Sequence, residues 1–306
     1  MNLRALISIG TNSTRAIVAQ FDAEIPVTLL HRSTGTRIGE GLRERGHLDE
    51  VAMQRTLDAI AEHAAAIREH TPRFGIIATS ALRRADNEDE FDRRVRALTG
   101  CGVEIISGEE EAASSFAGAL SGVQAPPHER FGVLDVGGGS SEYAVGTKGA
   151  CEHVVSCEIG AVRLTERFAE LAGTRGAVSG DELERASAYA ERALQPALEL
   201  RPVDRLVLVG GSATTTVSLV RGTRERFSYA ALERDDVAAW ITRLAAMPLE
   251  ERKRLPGMNP QRADILLGGL LVIHPVLRHN TAGDMLLVST SDVLLGYLLR
   301  HPAERS

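Results

Sequence analysis

Short apolar runs and longer helical patterns alternate along the 306-residue chain. Residues 3–21 contain two apolar runs separated by a glycine-containing loop at 10–13, which predicts a strand, a tight turn and a second strand. Residues 49–70 carry apolar side chains at the three- and four-residue spacing of a helix. The other elements predicted in this half are strands at 74–79 and 103–107 and helices at 87–98 and 109–120. Such alternation of strands and helices is typical of an α/β fold.

The second half of the chain follows the same plan. Residues 131–146 again predict a strand, a glycine turn and a second strand. Ser179 with Glu182, like Asn87 with Glu90 in the first half, has the spacing of a capping box and predicts a helix start. The other elements predicted are helices at 161–171, 179–199, 235–246, 261–277 and 292–300, and strands at 206–209 and 285–288.

An internal repeat connects the two halves. Residues 6–13 align without a gap with residues 133–140, and the apolar positions, the first glycine and the final serine coincide. Ser8 stands opposite Asp135 in this alignment. The repeat predicts a duplicated α/β domain with a cleft between the two copies, although two matching octamers can also arise by coincidence.

The repeat also sets the predicted domain boundary. The two domains are expected at residues 1–124 and 125–306, joined by a proline-containing linker at 124–128. The last helix, at about 292–302, has an alternative placement, in which it packs back on the first domain.

Composition excludes several classes of protein. The formal net charge is −6, so the chain has no overall positive field that would attract nucleic acid. Its apolar runs are too short to span a membrane. The start of the chain has no apolar segment with a cleavage site, and the three cysteines have no metal-ligand spacing, so we expect a reduced cytoplasmic protein. Lys148 and Lys253 are the only lysines, and neither belongs to a nucleotide-binding P-loop sequence.

The most informative loop runs from Asp135 to Glu142. Three glycines allow the backbone to approach an anion closely and to turn its N–H groups toward it, and Ser140 adds a hydroxyl. The hairpin brings Asp135 and Glu142 to one rim, where their oxygens suit Mg²⁺. The alternative is an ordinary glycine-rich turn flanked by two solvated acids.

Other polar segments have both a functional and an ordinary interpretation. The loop that starts at Gly210 follows a strand and opens a helix, which makes it a second candidate anion site. The three glutamates at 109–111 either compensate a helix dipole or supply a general base. Arg83 and Arg84 either bind phosphate or are solvated surface arginines. Trp240 is expected in the core, and the charged run at 250–254 is expected to be a solvated helix turn.

Taken together, these motifs resemble the exopolyphosphatase / guanosine pentaphosphate phosphohydrolase (Ppx/GppA) family. The resemblance implies duplicated RNase H-like domains of the actin-like and sugar-kinase-like ATPase superfamily, with the active site in the interdomain cleft. It extends over nearly the whole chain, in family order. The matching segments are 9–13, 78–83, 105–112, 133–142, 160–164, 210–215 and 262–265.

The resemblance also implies residue roles. Glu111 matches the general base, and Asp135 and Glu142 match the acids that hold Mg²⁺, with Mn²⁺ as an alternative ion. Glu142 additionally matches a residue that helps to position the attacking water. The residues that match phosphate contacts are Asn12, Ser13, Arg83, Gly137, Gly138, Gly139, Ser140, Gly210, Gly211 and Ser212.

The function implied is hydrolysis of the terminal phosphate of polyphosphate. The alternatives are hydrolysis of the 5′-γ-phosphate of guanosine pentaphosphate, a kinase of the same superfamily, and a catalytically silent phosphate-binding protein. Family members are often dimers. Two features depart from the family: Ser8 stands where an aspartate is usual, and the chain stops at Ser306 without the helical domains of longer members. From the second feature we expect a preference for short polyphosphate.

Overall fold

The computed structural model describes residues 2–23, 25–280 and 283–302. The chain divides into two compact units, one formed by residues up to Val123 together with those from Val293, the other by Gln124–Asp292. The last helix therefore lies in the first unit, which is the alternative placement that the sequence left open. The second unit ends at Asp292, not at 306.

The secondary structure of the described residues is as follows. The strands are β1 (Leu3–Ile9), β2 (Thr14–Gln20), β3 (Val27–Thr34), β4 (Gly75–Ala78), β5 (Glu104–Ile105), β6 (Arg130–Val136), β7 (Ser141–Thr147), β8 (Ala150–Cys157), β9 (Arg205–Val209), β10 (Tyr229–Glu233) and β11 (Met285–Ser289). The helices are α1 (Leu42–Arg45), α2 (Glu50–Arg68), α3 (Glu88–Thr99), α4 (Gly108–Leu120), α5 (Ala161–Arg167), α6 (Gly180–Ala193), α7 (Gln195–Leu198), α8 (Gly211–Arg221), α9 (Arg234–Ala245), α10 (Leu249–Arg252), α11 (Leu266–Asn280) and α12 (Val293–Arg300). Each predicted strand and helix has a counterpart here, whereas β3, β8, β10 and α1 were not predicted.

Each unit is built around one sheet. The first sheet has the strand order β3-β2-β1-β4-β5, and the second has the order β10-β11-β9-β6-β7-β8. In both, the first three strands are antiparallel neighbours, and the next strands run parallel to the first strand. The second sheet thus repeats the first and adds β10 at its edge, which confirms the predicted duplication.

The first sheet is covered by apolar side chains on both faces. Ile7 and Ile9 pack into one core with residues of α2 and α3, and Leu6 packs into another with residues of α12. Successive side chains of a strand point to opposite faces, so this division follows from the alternation along β1. Burial on both faces explains why β1 is an almost continuous apolar run.

The core of the second unit lies on one face of its sheet. Leu134 and Val136 of β6 contribute to it, together with residues of α5, α6, α8, α9 and α11. Asp135 alternates with these two side chains, so it projects from the other face. Among the described residues, no helix has the length and apolar character that crossing a membrane requires.

Of the two predicted capping boxes, one is absent and the other is formed only in part. The side chain of Asn87 does not cap α3; it accepts from the N–H of Leu48 and donates to its carbonyl. Ser179 does cap α6 through Glu182 N–H, but its own N–H donates to Glu170.

The predicted solvated turn at 250–254 contains a buried arginine. Arg252 is 0% exposed and donates to the carbonyls of Leu171 and Met247. These bonds replace part of its hydration, which explains how a charged side chain can lie in the interior.

Candidate active site

Two buried acids face each other across a hairpin of the second unit. Asp135 on β6 is directly opposite Glu142 on β7, and the two residues are 7% and 1% exposed. Directly opposite side chains lie on the same face of a sheet, and like charges there are unfavourable. A divalent cation bound by both carboxylates would relieve this repulsion, so the pair suits Mg²⁺.

The loop between these acids presents backbone donors. The carbonyls of Gly137 and Gly138 accept from N–H groups at the start of α5, at 2.9 Å from Ala161 and from Val162 respectively. The N–H groups of Gly138 and Gly139, in contrast, have no backbone acceptor among the described residues. Because the carbonyls face α5, the N–H groups of Gly138 and Gly139 can bind an anion.

Gly160 makes this arrangement sterically possible. A Cβ at this position would lie 2.6 Å from the carbonyl carbon and oxygen of Gly138. Any larger residue would therefore push α5 away from the loop. The Gly160 segment was quoted in the resemblance without a role, and the structure shows that it supports the loop backbone.

The second glycine loop lies against Asp135. Gly210 has φ +89°, and a Cβ there would be 2.9 Å from Asp135 Oδ1 and 2.9 Å from the carbonyl oxygen of Val136. Gly211 then opens α8, so the first N–H groups of this helix lie beside the acid. The structure thus brings Asp135, Glu142 and both predicted glycine loops of this unit together at the carboxyl ends of β6 and β9.

Ser212 differs from the other predicted phosphate contacts of this unit. A Cβ at Gly269 of α11 would lie 2.0 Å from its hydroxyl oxygen, so the Ser212 side chain packs against α11. Its predicted contact with phosphate therefore depends on its backbone N–H and not on its hydroxyl.

Arg262 is a neighbour of this loop to which no role was assigned from the sequence. A Cβ at Gly211 would fall 1.9 Å from Arg262 Cζ, so the guanidinium occupies the space that a side chain at 211 would need. A cation beside the N-terminus of α8 adds positive charge where the helix dipole is already positive. The motif at 262–265 was the only sign of Arg262 in the sequence, and the structure was needed to show that its guanidinium lies beside Gly211.

Ser156 is a second residue that the sequence did not reveal. It lies opposite Glu142 on β8, and its hydroxyl donates to Glu142 Oε1 at 2.9 Å. The neighbouring Cys157 is buried, and burial followed by the charge of Glu142 raises the pKa of this thiol to about 11. Cys157 therefore remains protonated at neutral pH and is a poor nucleophile.

The equivalent hairpin of the first unit has different chemistry. Gly10 N–H donates to Ser13 O at 3.0 Å, and Gly137 N–H donates to Ser140 O at 3.1 Å, so the two turns close in the same way. Ser8 is 1% exposed and lies opposite Arg15. Where the second unit has two acids, the first has a serine and an arginine.

Asn12 and Ser13 form the tip of this hairpin and are 7% and 9% exposed. Asn12 Nδ2 donates to Ser13 Oγ at 3.1 Å. The other amide atom of Asn12, Oδ1, is buried and has no hydrogen-bond partner in the part of the chain that the structure describes. A buried polar atom without a partner is unfavourable unless a ligand or water satisfies it.

Glu111, which is buried, and Arg83, which is half-buried, form an ion pair. Arg83 Nη1 donates to Glu111 Oε2 at 3.0 Å and to the carbonyl of Ile106 at 2.9 Å. Arg83 Nη2 is buried without a hydrogen-bond partner in the described chain, so it can serve a ligand. This ion pair fixes the orientation of the Glu111 carboxylate, the group that the resemblance matches to the general base.

The predicted residues of the first unit share one edge of its sheet. β1, β4 and β5 are parallel, and the 10–13 loop, Thr79 and Ile106 directly follow their carboxyl ends. Ligands of open α/β sheets bind at such ends. Asn12, Ser13, Arg83 and Glu111 therefore lie where this fold places its chemistry.

The protein supplies few metal ligands of its own. Within the described residues, no group of three or more His, Cys, Asp or Glu side chains could hold a metal ion. Two carboxylates, with phosphate oxygens and water completing the shell, are nevertheless a common way to bind Mg²⁺. The residues present therefore fit a magnesium ion that arrives with an anionic substrate.

Comparison with known proteins identifies the family. Residues 17–291 match the Ppx/GppA phosphatase family. The chain belongs to this family. Exopolyphosphatase 2 of Mycobacterium tuberculosis is 34% identical over 322 residues, which cover 96% of this chain and 97% of that protein.

Solved structures agree with this assignment. A PPX-GPPA enzyme of Aquifex aeolicus is 29% identical, with a TM-score of 0.80 over 97% of this chain and 99% of that one. An exopolyphosphatase from Cytophaga hutchinsonii is 26% identical, with a TM-score of 0.85 over 97% of each chain. The fold is the actin-like α/β fold of these enzymes, as the sequence predicted.

Proposed function

We propose that this protein hydrolyses the terminal phosphoanhydride bond of inorganic polyphosphate in a Mg²⁺-dependent reaction. One observation carries the proposal: Asp135 and Glu142 face each other beside a loop whose Gly138 and Gly139 N–H groups have no backbone acceptor. This pairing of hard oxygen ligands with anion donors suits a metal-bound phosphate. Membership of the Ppx/GppA family and the name of the M. tuberculosis relative support polyphosphate as the substrate.

Each unit has donors of its own to which phosphate binding is assigned. In the second unit these are the N–H groups of Gly138 and Gly139 and the start of α8, where Arg262 adds charge. In the first unit they are Arg83 Nη2 and the side chains of Asn12 and Ser13. Guanidinium groups suit phosphate because their N–H groups match two of its oxygens.

Glu111 is assigned the role of general base. It accepts a proton from water as the water oxygen bonds to the terminal phosphorus, and the bridging P–O bond breaks in line. The products are orthophosphate and a chain one phosphate shorter. General-base assistance of this kind contributes about 10²–10⁴-fold to a rate.

Asp135 and Glu142 would hold the metal, with Mn²⁺ as an alternative to Mg²⁺. When bound, the ion neutralises part of the negative charge on the phosphate oxygens. Ser156 fixes Oε1 of Glu142. The carboxylate thereby keeps one orientation, which also suits its second proposed role in positioning the attacking water.

A panel of substrates tests the proposal. Orthophosphate release is measured from tripolyphosphate, long polyphosphate, guanosine pentaphosphate and ATP, each at saturating Mg²⁺. We expect release from polyphosphate to exceed release from ATP by at least tenfold, and the panel also tests the predicted preference for short chains. Faster release from guanosine pentaphosphate would replace the proposed substrate by the alternative one, and no release from any substrate would contradict enzymatic function.

A further inference from the structure

His63 of α2 is bonded to the base of the first hairpin. The residue is 2% exposed, and its Nε2 lies 3.2 Å from the carbonyl oxygen of Thr14. A carbonyl only accepts hydrogen bonds, so Nε2 carries a proton and donates it. Thr14 begins β2 and directly follows Ser13. His63 therefore holds the backbone immediately beside the tip of the hairpin.

A second contact from α2 reaches the same place. The hydroxyls of Thr14 and Thr36 are hydrogen-bonded to each other at 3.0 Å, and Arg55 Nε donates to the carbonyl of Thr36 at 2.6 Å. A guanidinium stays charged in proteins, whereas an imidazole changes its charge near neutral pH. Of these two contacts, the one made by His63 is therefore the one that pH can alter.

The other ring nitrogen of His63 makes protonation unfavourable. Nδ1 is buried and has no hydrogen-bond partner within the residues that the structure describes. In the neutral ring Nδ1 is an acceptor, whereas in the imidazolium it becomes a donor that needs an acceptor. An interior charge with an unpaired donor is costly, so the folded state favours the neutral ring, and burial lowers the pKa of His63.

Two charged side chains act on this ring. Arg32 of β3 disfavours the imidazolium and Glu62 of α2 favours it, but burial has a larger effect on the pKa than either. The charged residues of β1 and β2 lie on the opposite face of the sheet, and the arginine of α3 that bonds to α2 does so at its start. These residues are Arg4, Arg15 and Arg94.

We propose that His63 is a positioning residue of the phosphate site: its neutral ring holds the hairpin that carries Asn12 and Ser13, and protonation of the ring weakens the binding of polyphosphate. The inference rests on the proposed function, in which Asn12 and Ser13 contact phosphate. The ordinary pKa of histidine is 6.5, and that of His63 is lower. The neutral ring therefore stabilises the hairpin above pH 6.5, and this stabilisation is lost as the pH falls below that value.

Two substitutions separate the hydrogen bond from the titration. His63→Gln places an amide N–H where Nε2 donates and cannot be protonated, whereas His63→Leu removes the donor. Binding of tripolyphosphate with Mg²⁺ is measured by calorimetry between about pH 8 and pH 5. A Glu111→Gln background serves as the parent, because it does not consume the ligand.

At pH 8 we expect His63→Gln to bind tripolyphosphate like the parent, and His63→Leu to bind it about fivefold more weakly. At pH 5 the parent should have lost about fivefold more affinity than His63→Gln, in which the ligand and the other residues still titrate but residue 63 does not. Because protonation and binding are linked, tripolyphosphate should also lower the pKa of His63 that is read from its ring resonances by NMR.

His274→Gln is the matched control. His274 is a half-buried histidine of α11 in the second unit, and burial lowers its pKa as well. This substitution removes a similar titrating group that is not bonded to the first hairpin, so the pH dependence of the parent should remain.

The inference is overturned if His63→Gln loses affinity toward pH 5 as steeply as the parent, or if His63→Leu binds like the parent at pH 8. A lower melting temperature of His63→Leu with unchanged affinity would make His63 a structural residue only. If the parent binds no tripolyphosphate at any pH and the wild type releases no phosphate, the proposed function itself fails, and the inference fails with it.

Discussion

Three consecutive glutamates at the start of α4 have three different environments. Glu109 is exposed, and Glu110 bonds to Arg300 and His301, whereas Glu111 is 8% exposed and paired with Arg83. All three gain from the helix dipole, so their position in the sequence does not separate them. Glu111 is the candidate base because it is buried beside Arg83, whose Nη2 has no hydrogen-bond partner in the described chain.

At Gly210 we predict that a single methyl group disturbs the site. Gly210→Ala would place Cβ 2.9 Å from Asp135 Oδ1 at a residue with φ +89°. We expect the free energy of unfolding to fall by about 1–3 kcal/mol. We also expect the concentration of Mg²⁺ needed for half-maximal activity to rise, because the new methyl group displaces the Asp135 carboxylate. Thermal unfolding and a Mg²⁺ titration of phosphate release measure the two effects.

Gly180→Ala is the control for this substitution. Gly180 begins α6, and a Cβ there would have no heavy atom within 4 Å. Since alanine is the better helix former, this variant should be as stable as the wild type or slightly more so, with unchanged Mg²⁺ dependence. A Gly210→Ala enzyme with wild-type Mg²⁺ dependence would contradict the assignment of Asp135 as a metal ligand.

Helix α12 completes the first unit through close contact with α4. A Cβ at Gly296 would lie 1.6 Å from the carbonyl oxygen of Ser114, so the two backbones touch. Tyr297 donates to Glu104 of β5 at 2.6 Å, and Arg4 of β1 donates to the carbonyl of Leu298 at 2.9 Å. Helix α12 thus packs beside the helix that carries Glu111.

Glu110 links these two helices and gives stability a predictable pH dependence. Burial alone would raise the pKa of Glu110, but bonds from Arg300, His301 and Ser114 outweigh burial and lower it to about 2. A carboxylate with a lower pKa in the folded state stabilises the protein above its unfolded pKa, and this stabilisation is lost as the pH falls. We expect Glu110 to account for a decrease of about 1–2 kcal/mol in the free energy of unfolding between pH 5 and pH 2.5.

Glu110→Gln tests this dependence. The variant should be less stable than the wild type at pH 6, and the difference should shrink as the pH falls toward 2.5, because the wild-type carboxylate becomes protonated. Urea unfolding of both proteins at several pH values measures it. A stability difference that is constant across this range would show that the charge of Glu110 is not responsible.

The elements that the sequence did not predict are those with little apolar signal. β3 is an edge strand whose residues are exposed or half-buried, and it includes His31, Arg32 and Ser33. Its strand conformation depends on pairing with β2, which a local pattern does not encode. The capping box at Asn87 failed for a related reason, since Leu48, distant in sequence, engages the side chain instead.

At the scale of the whole molecule, duplication has produced two similar sheets with unlike hairpins. Asp135 and Glu142 in the second unit correspond to Ser8 and Arg15 in the first. One copy therefore carries two carboxylates at these positions, and the other carries a hydroxyl and a guanidinium.

The repeat and the glycine loops made this division predictable in part. Glycine, serine and acidic residues at strand ends reveal where an anion or a metal can bind, because those residue types are needed for backbone approach and coordination. Arg262 and Ser156 were not predicted to belong to the site, because they lie in other segments and reach the loops only through tertiary contacts.

The decisive experiment for Mg²⁺-dependent hydrolysis with Glu111 as base is an assay of orthophosphate release from tripolyphosphate. The wild type and Glu111→Gln are compared, each with Mg²⁺ and with a chelator. We predict rapid release by the wild type with Mg²⁺ only, and a rate lower by about 10²–10⁴-fold in the variant, which still binds tripolyphosphate. Metal-independent release by the wild type, or release by Glu111→Gln at the wild-type rate, would contradict the account.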